Sequence, residues 1–515
     1  MTLNRREFSA MLTGAVAVQA VAGVGAAFAA DTSPEELTAL SLSKIAARIR
    51  SGSVTSTEAT QACLARIAIY GPKLDAFITV MKANALAQAQ QLDAEQKAGK
   101  LRGPLHGVPV ALKDNIDTAG TRTTAASALF EDRVPSVDAP VVTRLKDAGA
   151  VIIGKTNLHE FAMGYGETSY WGPARNPWNL AHNTGGSSSG SGAAISAALA
   201  YGALGTDTGG SVRIPASYCG IVGLKPTYGL VPIRGIVPLV VSLDHCGPMT
   251  RTVADAALML NTMAGYDRLD ITSVEHARED YVAALTQPVK GFRLGMPAGY
   301  FDNLDPEVAK AVQEAVALLS RLTQGARDAA LPAVSANPST FGESFAYHEQ
   351  YIKNAPAKYM LATRRNLERQ QSDPPKAADY IRAKWNLELL RRTVDDSFTD
   401  IDLVVLPTQR ILPPLLDDML KRDHDAQPTD PSITSNCGPF DAFGLPAVSI
   451  PCGFSKSGLP IGLMIAGPHF SEGKVLALAQ AYESATGWHT MRPPLRADTI
   501  KPPVVKFDGL SAPPK

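Results

Sequence analysis

Apolar positions recur along this chain with two different periods, and the switch between them marks out its elements. After residue 30 the spacing is helical. Ser33-Pro34-Glu35-Glu36 supplies an N-cap, a proline at the first helical position and an acid three residues on, and Leu37, Leu40, Ile45 and Ile49 continue one apolar face. Thr55 with Glu58 repeats the capping pattern before Cys63, Leu64 and Ile67, and a third helix is expected from about Lys82 to Gly99, where glycine ends it. From Gly107 short apolar runs take over. Val108 to Leu112 and Ala150 to Gly154 read as buried strands, with a helix over Val141 to Leu145 between them. Strand-like runs return at Gly291 to Met296 and Asp402 to Leu406, with a capped helix from Asp305 to Leu322. Gly444 to Ile465 adds two more apolar runs before an amphipathic helix over Glu472 to Thr486. This alternation predicts an α/β sheet. Phe341 to Phe398 is helical in pattern and rich in aromatic and basic residues, which reads as a covering layer or the wall of a substrate pocket. The Pro- and Lys-rich stretch after Met491 is expected to be peripheral.

The first thirty residues do not fit this scheme. Arg5-Arg6 precede Glu7-Phe8, an Ala-, Gly- and Val-rich stretch runs from Ala10 to Ala29, and Ala27-Phe28-Ala29 has the small-x-small pattern of a signal peptidase site. Residues 1–30 are therefore expected to be a twin-arginine export signal, of the kind that carries folded proteins into the bacterial periplasm. An uncleaved membrane anchor is the rival, disfavoured because so much Ala and Gly is only weakly hydrophobic. The composition, 45% hydrophobic and 19% charged over 515 residues with net charge +0, is that of a globular protein and asks for neither nucleic acid nor an anionic membrane. Five cysteines, an odd count without close pairs, imply no disulfide framework. Cys246 beside His245 is a poor nucleophile pair, since adjacent residues seldom face each other usefully.

One stretch, Gly185 to Pro226, gathers chemistry that a plain core does not require. Gly185-Gly186-Ser187-Ser188-Ser189-Gly190 and Asp207-Thr208-Gly209-Gly210-Ser211 are glycine-serine turns flanking an Ala-rich segment, Ala193 to Leu204, that reads as a buried helix. Glycine allows positive φ and close approach, so each turn can aim backbone N–H groups at an anion. Either turn alone reads equally well as a tight loop beside a core helix. A phosphate-binding loop would need a Gly-Lys-Ser/Thr ending, which this stretch lacks. Lys113 closes the strand-like run before it, where α/β proteins place working residues, although by itself it reads best as a surface lysine capping a strand. Other constellations are weaker. Asp244-His245 would set a triad base next to its own orienting acid; His159-Glu160 begins a zinc-protease pattern, but Met163 stands where the second ligand is needed. Asp423-His424-Asp425 lies in a polar, Pro-rich stretch and is expected to be solvated.

Taken together, Gly185 to Pro226 and the Lys113-Asp114-Asn115 run within Gly107 to Asp117 resemble the signature motifs of the amidase signature family. The likeness continues through Asp244 to Asp255 and Gly444 to Pro451, and it fades between about 270 and 435. It implies an α/β protein: a single domain over residues 31–515 with a mixed twisted β-sheet covered by α-helices. The core would span 31–270 and 400–490, with a variable helical substrate region at about 270–435 and a peripheral tail at 491–515. It also implies Ser211 as nucleophile, Ser187 as a bridging serine after a cis Gly186-Ser187 bond, and Lys113 as base. Thr208, Gly209 and Gly210 would form the oxyanion hole, with Asp207, Arg213 and Ser188 in support. The chemistry is demanding, because a serine is a weak nucleophile until a base takes its proton. A lysine can do so only uncharged, so its pKa must fall from the free value of about 10.4 to about 7 for work near neutral pH.

The activity so implied is hydrolysis of a small-molecule carboxamide to an acid plus ammonia or amine, through a serine acyl-enzyme, with no cofactor and no metal. The resemblance admits a homodimer. Two alternatives remain. One is the glutamine-amidase (A) subunit of a tRNA-dependent amidotransferase, whose glutamine-binding motifs are not recognisable between about 345 and 435; the acid expected shortly before Gly444-Leu445-Pro446 is Thr434. The other is a non-catalytic periplasmic binding protein on the same fold, which the joint presence of Lys113, Ser187 and Ser211 argues against.

Overall fold

Capping decides where the first helices begin. In the computed structural model, which describes residues 33–163, 168–334, 342–374, 376–425, 435–506 and 511, Ser33 and Glu36 close a capping box on the helix Pro34–Ala39. The apolar face expected to run on to Ile49 is broken at Leu40, and a second helix, Leu42–Ser51, starts from Ser41. The break is fixed by tertiary contact: the buried Asp255 carboxylate accepts from the N–H groups of Leu42 and Ser43 at 3.0 and 2.8 Å. A second capping box, Thr55 with Glu58, begins the helix Ser56–Leu74, and Lys82–Lys97 follows as the periodicity predicts. The twin-arginine pattern, the Ala27-Phe28-Ala29 motif and Thr434 lie outside the described residues.

Eleven strands form one mixed sheet: β1 (Phe77–Val80), β2 (Pro109–Lys113), β3 (Val151–Thr156), β4 (Gly202–Asp207), β5 (Val222–Lys225), β6 (His245–Thr250), β7 (Leu294–Pro297), β8 (Ala326–Ala329), β9 (Leu403–Pro407), β10 (Ala447–Phe454) and β11 (Pro460–Ala466). Their order across the sheet is β1-β3-β2-β4-β6-β5-β10-β11-β9-β7-β8. Strand β2 is parallel to β3 and β4, and β7 is parallel to β8 and β9; the remaining neighbours are antiparallel. The mixed α/β architecture is therefore the one the sequence implies. The strands missed in the sequence are short or atypical. β6 carries Pro248, and β8 is an Ala-Arg-Asp-Ala edge without an apolar run.

The central stretch departs from expectation in one respect. Its Ala-rich segment is not one helix to Leu204: the helix Ser189–Ser196 ends, Ala198 takes a positive φ of 55°, and the chain turns into β4. Pairing of β4 with both β2 and β6 in the middle of the sheet outweighs the helical propensity of its alanines. This inserts the two turns side by side. The C-terminal ends of β2, β4 and β5 and the starts of β6 and β10 then share one edge of the sheet, with Asp207 opposite His245 and Lys225 opposite Ala447. Val110, Ala111, Leu112, Ala203, Leu204 and Leu224 are fully buried there, so residues at the strand ends project from a dry core.

The aromatic middle segment forms the helices Gly342–Asn354, Leu361–Ser372 and Ala377–Thr393. Its inner face packs His348 and Tyr359 around Phe161, with ring centroids 4.5 and 5.5 Å away. Of the Asp423-His424-Asp425 run expected to be solvated, Asp423 departs from expectation. The run ends the helix Leu416–His424, and Asp423 is buried while Asp425 is exposed. Among the described residues no helix is long and apolar enough to cross a membrane.

Candidate active site

Lys113 ends β2 with its side chain wholly buried, which rules out the surface cap. Its Nζ lies 2.8 Å from Ser187 Oγ and 2.7 Å from Thr206 Oγ1 on β4. Burial lowers Lys113 from the ordinary lysine range to about 7, against the opposing pull of Asp207, Asp244 and Cys246. Thr206 was not singled out by the sequence. It is brought to Lys113 by the pairing of β2 with β4, and Asn115 Nδ2 also reaches its Oγ1 at 3.3 Å.

Ser187 follows a cis peptide bond from Gly186. A side chain at Gly186 has no room, because a Cβ there would stand 2.0 Å from the His159 ring. Ser188 fastens the same loop to β4 by accepting from Thr206 N–H and donating to Thr206 O, both at 3.2 Å. Its own N–H donates to the Ser211 carbonyl at 3.2 Å. Ser187 and Ser211 are thus held on two turns joined one residue away, and both are buried, Ser211 with 8% of its surface exposed.

The turn carrying Ser211 is shaped by a carboxylate. Asp207 accepts from the N–H of Gly210 at 2.5 Å and of Val212 at 3.1 Å, and from Arg213 Nε and Nη2 at 2.9 and 3.0 Å. Burial works against the Asp207 charge, yet the guanidinium of Arg213 outweighs it and holds the carboxyl below its usual range. Arg213 also donates to the Cys437 carbonyl at 3.0 Å and to Asp441 at 2.6 Å. Burial and then the negative Asp207 push the Asp441 carboxyl upward, opposed by Arg213 and Lys225. Of the three residues expected to line an oxyanion hole, Gly210 directs its N–H at Asp207. A Cβ at Gly209 would meet nothing within 4 Å, whereas at Gly210, whose φ is +123°, it would stand 2.6 Å from Cys437. Thr208 turns its hydroxyl to the buried Asp244 at 2.6 Å.

The discarded constellations have structural work. Glu160 is buried, accepts from Ser127 Oγ at 2.6 Å and Met360 N–H at 2.9 Å, and so ties the helical layer to the core; burial raises it to about 7. Asp114 accepts from Thr124 and lies 3.5 Å from Lys155, a second buried lysine that the sequence did not flag. All five cysteines are free and buried, and burial pushes the Cys246 thiol up to about 12, far from nucleophilic use. Among the described residues no group of His, Cys, Asp or Glu side chains is arranged to hold a metal.

A buried lysine touching one serine, with a second serine on the adjoining Gly-Gly turn at the end of a mixed sheet, defines an amidase-type hydrolase. The chain matches the family described as Amidase over residues 58–476 and belongs to it. It is similar to the A-subunit of the glutamyl-tRNA(Gln) amidotransferase from Geobacter sp. (strain M21), 39% identical over 89% of this chain and 100% of that protein. Among solved structures it is similar to the peptide amidase PAM in complex with the competitive inhibitor chymostatin, with a TM-score of 0.77 and 34% identity over 88% of this chain and 99% of that one. It is also similar to the A-subunit of the Thermotoga maritima glutamyl-tRNA(Gln) amidotransferase, with a TM-score of 0.69 and 33% identity over 90% of this chain and 97% of that one.

Proposed function

We propose that this chain hydrolyses a carboxamide through an ester on Ser211. Uncharged Lys113 takes the proton of Ser187 as Ser187 takes that of Ser211, and the freed Ser211 oxygen attacks the carbonyl carbon. The resulting oxyanion is met by the N–H groups of Gly209 and Ser211. Collapse breaks the C–N bond while the proton on Lys113 returns through Ser187 to the departing nitrogen. Water, deprotonated by the same relay, then releases the acid. The observation that carries this reading is the 2.8 Å contact of Lys113 with Ser187 in a wholly buried setting that favours the neutral amine. Offered primary amides, anilides and glutamine, purified residues 31–515 are expected to release ammonia or amine without added subunits. Silence toward all of them would end the reading.

A second reading is favoured by the curated relatives. The likeness to the Geobacter protein covers that chain end to end, and supports an amidotransferase component that liberates ammonia from glutamine for a partner. On that reading glutamine outperforms the other amides in the same panel, and the chain co-purifies with further subunits. Residues 1–30, through Arg5-Arg6 and Ala27-Phe28-Ala29, support export to the periplasm instead. The mature protein from a periplasmic extract is then expected to begin at about residue 30 or 31, and a chain still beginning at Met1 or Thr2 would overturn export.

A further inference from the structure

Glycines near the nucleophile mostly have a reason inside the fold. A side chain at Gly210 is refused by a φ of +123° and by Cys437, and at Gly205 a Cβ would stand 2.8 Å from Ser188 Oγ. Gly209 and Gly438 have neither reason. Both lie outside the left-handed region, so the backbone at each accepts an ordinary residue. Among the described residues, a Cβ at Gly209 would meet no atom within 4 Å, and one at Gly438 would meet only the Gly209 carbonyl oxygen, at 4.0 Å. Gly438 also opens the short helix Gly438–Phe443, where alanine is the better helix former. Two neighbouring glycines are thus kept where strain and internal packing do not ask for them.

Their place in the site supplies the missing reason. Gly209 is exposed, whereas Thr208 and Gly210 on either side of it and Ser211 beyond are buried. Solvent therefore meets the nucleophile turn at Gly209, and a molecule approaching the Ser211 hydroxyl crosses it. The side chains bordering the two glycines include Ile214 and Cys437, which a Cβ at Gly210 would approach to 2.8 and 2.6 Å, and Gln409, whose Nε2 lies 3.8 Å from Cys437 Sγ. None of these carries a charge. The ions beneath them, Asp207, Arg213 and Asp441, are buried and bonded to one another rather than turned outward.

We propose that Gly209 and Gly438 are specificity-determining residues, whose missing side chains leave room beside Ser211 for an uncharged branched or aromatic group on the carbonyl carbon of the substrate. The inference rests on Ser211 being the nucleophile. The departing nitrogen belongs at Ser187, which returns its proton, so the group lying over the two glycines is the acyl part. A methyl added at either position takes up the space that this group needs, and leaves a small acyl group such as acetyl less affected.

The probes are p-nitrophenyl acetate and p-nitrophenyl benzoate, which share a leaving group and differ only in the acyl part. The reading is kcat/KM for nitrophenolate release, after subtracting the rate of Ser211→Ala. In Gly209→Ala and in Gly438→Ala the benzoate-to-acetate ratio is expected to fall about tenfold or more, and in Gly438→Leu to fall further. The urea midpoints of the two alanine variants should match or exceed the parent's, because the backbone there accepts alanine. A ratio unmoved in either alanine variant overturns the inference, as does an equal loss on both esters, which would mean a disturbed turn and not a filled space. A lowered midpoint in both variants also overturns it, since the fold would then need the glycines. A parent no faster than Ser211→Ala on either ester defeats the nucleophile assignment, and this inference with it; an active parent with unmoved ratios defeats the inference alone.

Discussion

Ser211→Ala will lower amide hydrolysis by about 10⁴-fold or more and will abolish labelling by a fluorophosphonate, while the protein keeps its fold. The substitution removes one hydroxyl from a turn whose shape depends on Asp207 and Arg213, so the scaffold has no reason to change. Lys113→Ala will cost about 10² to 10⁴-fold, the range over which a positioned base acts. The two losses will not multiply in the double variant if both residues belong to the one proposed relay. The sign of the pH dependence follows from burial. Lys113 sits at about 7, below the ordinary lysine range, and only its neutral form accepts a proton, so parent activity rises as pH passes upward through that value. Full turnover in either single variant would remove the basis of the proposed reaction.

Arg213→Met will destabilise the protein by about 3–5 kcal/mol near neutral pH, measured as a fall in the urea midpoint. The guanidinium is wholly buried and joins Asp207 to Asp441, so its removal leaves two interior carboxylates without their shared cation. Because Arg213 holds Asp207 below its usual range, the stabilisation is present above the unfolded value of about 3.9 and is lost as pH falls through the lowered folded one. The difference between parent and variant should therefore shrink in acid. An unchanged midpoint at neutral pH would show that the pair contributes little. Activity is expected to fall as well, since the same carboxylate fixes Gly210 and the residue after it.

How much of this was legible in the sequence depended on whether a residue's role is local. Capping boxes at Ser33 and Thr55 and the buried run before Lys113 announce themselves within a few residues, and the structure places helices and strand there. The serines on the glycine turns were legible through a long, specific motif. Thr206, Lys155 and Lys225 were not, because their meaning lies in partners supplied by other strands: Thr206 matters through the register of β2 against β4, and Lys225 through His245 on β6. The expected helix to Leu204 failed for the same reason, as propensity along the chain lost to pairing across the sheet. The bond from Gly210 N–H to Asp207 was hidden on a finer scale. Composition can say that a turn will present N–H groups, but which of them is taken by an internal carboxylate emerges only in three dimensions.

The strand order across this sheet has a kinetic corollary. β5 leaves the ribosome well before β10, yet the two pair side by side, and Arg213 finds its second carboxylate only in Asp441. Contacts so distant along the chain close late and slowly. The nascent polypeptide therefore carries Ser211 in an unfinished turn until nearly all of it has been synthesised, and that turn takes its final shape with the last strands rather than the first.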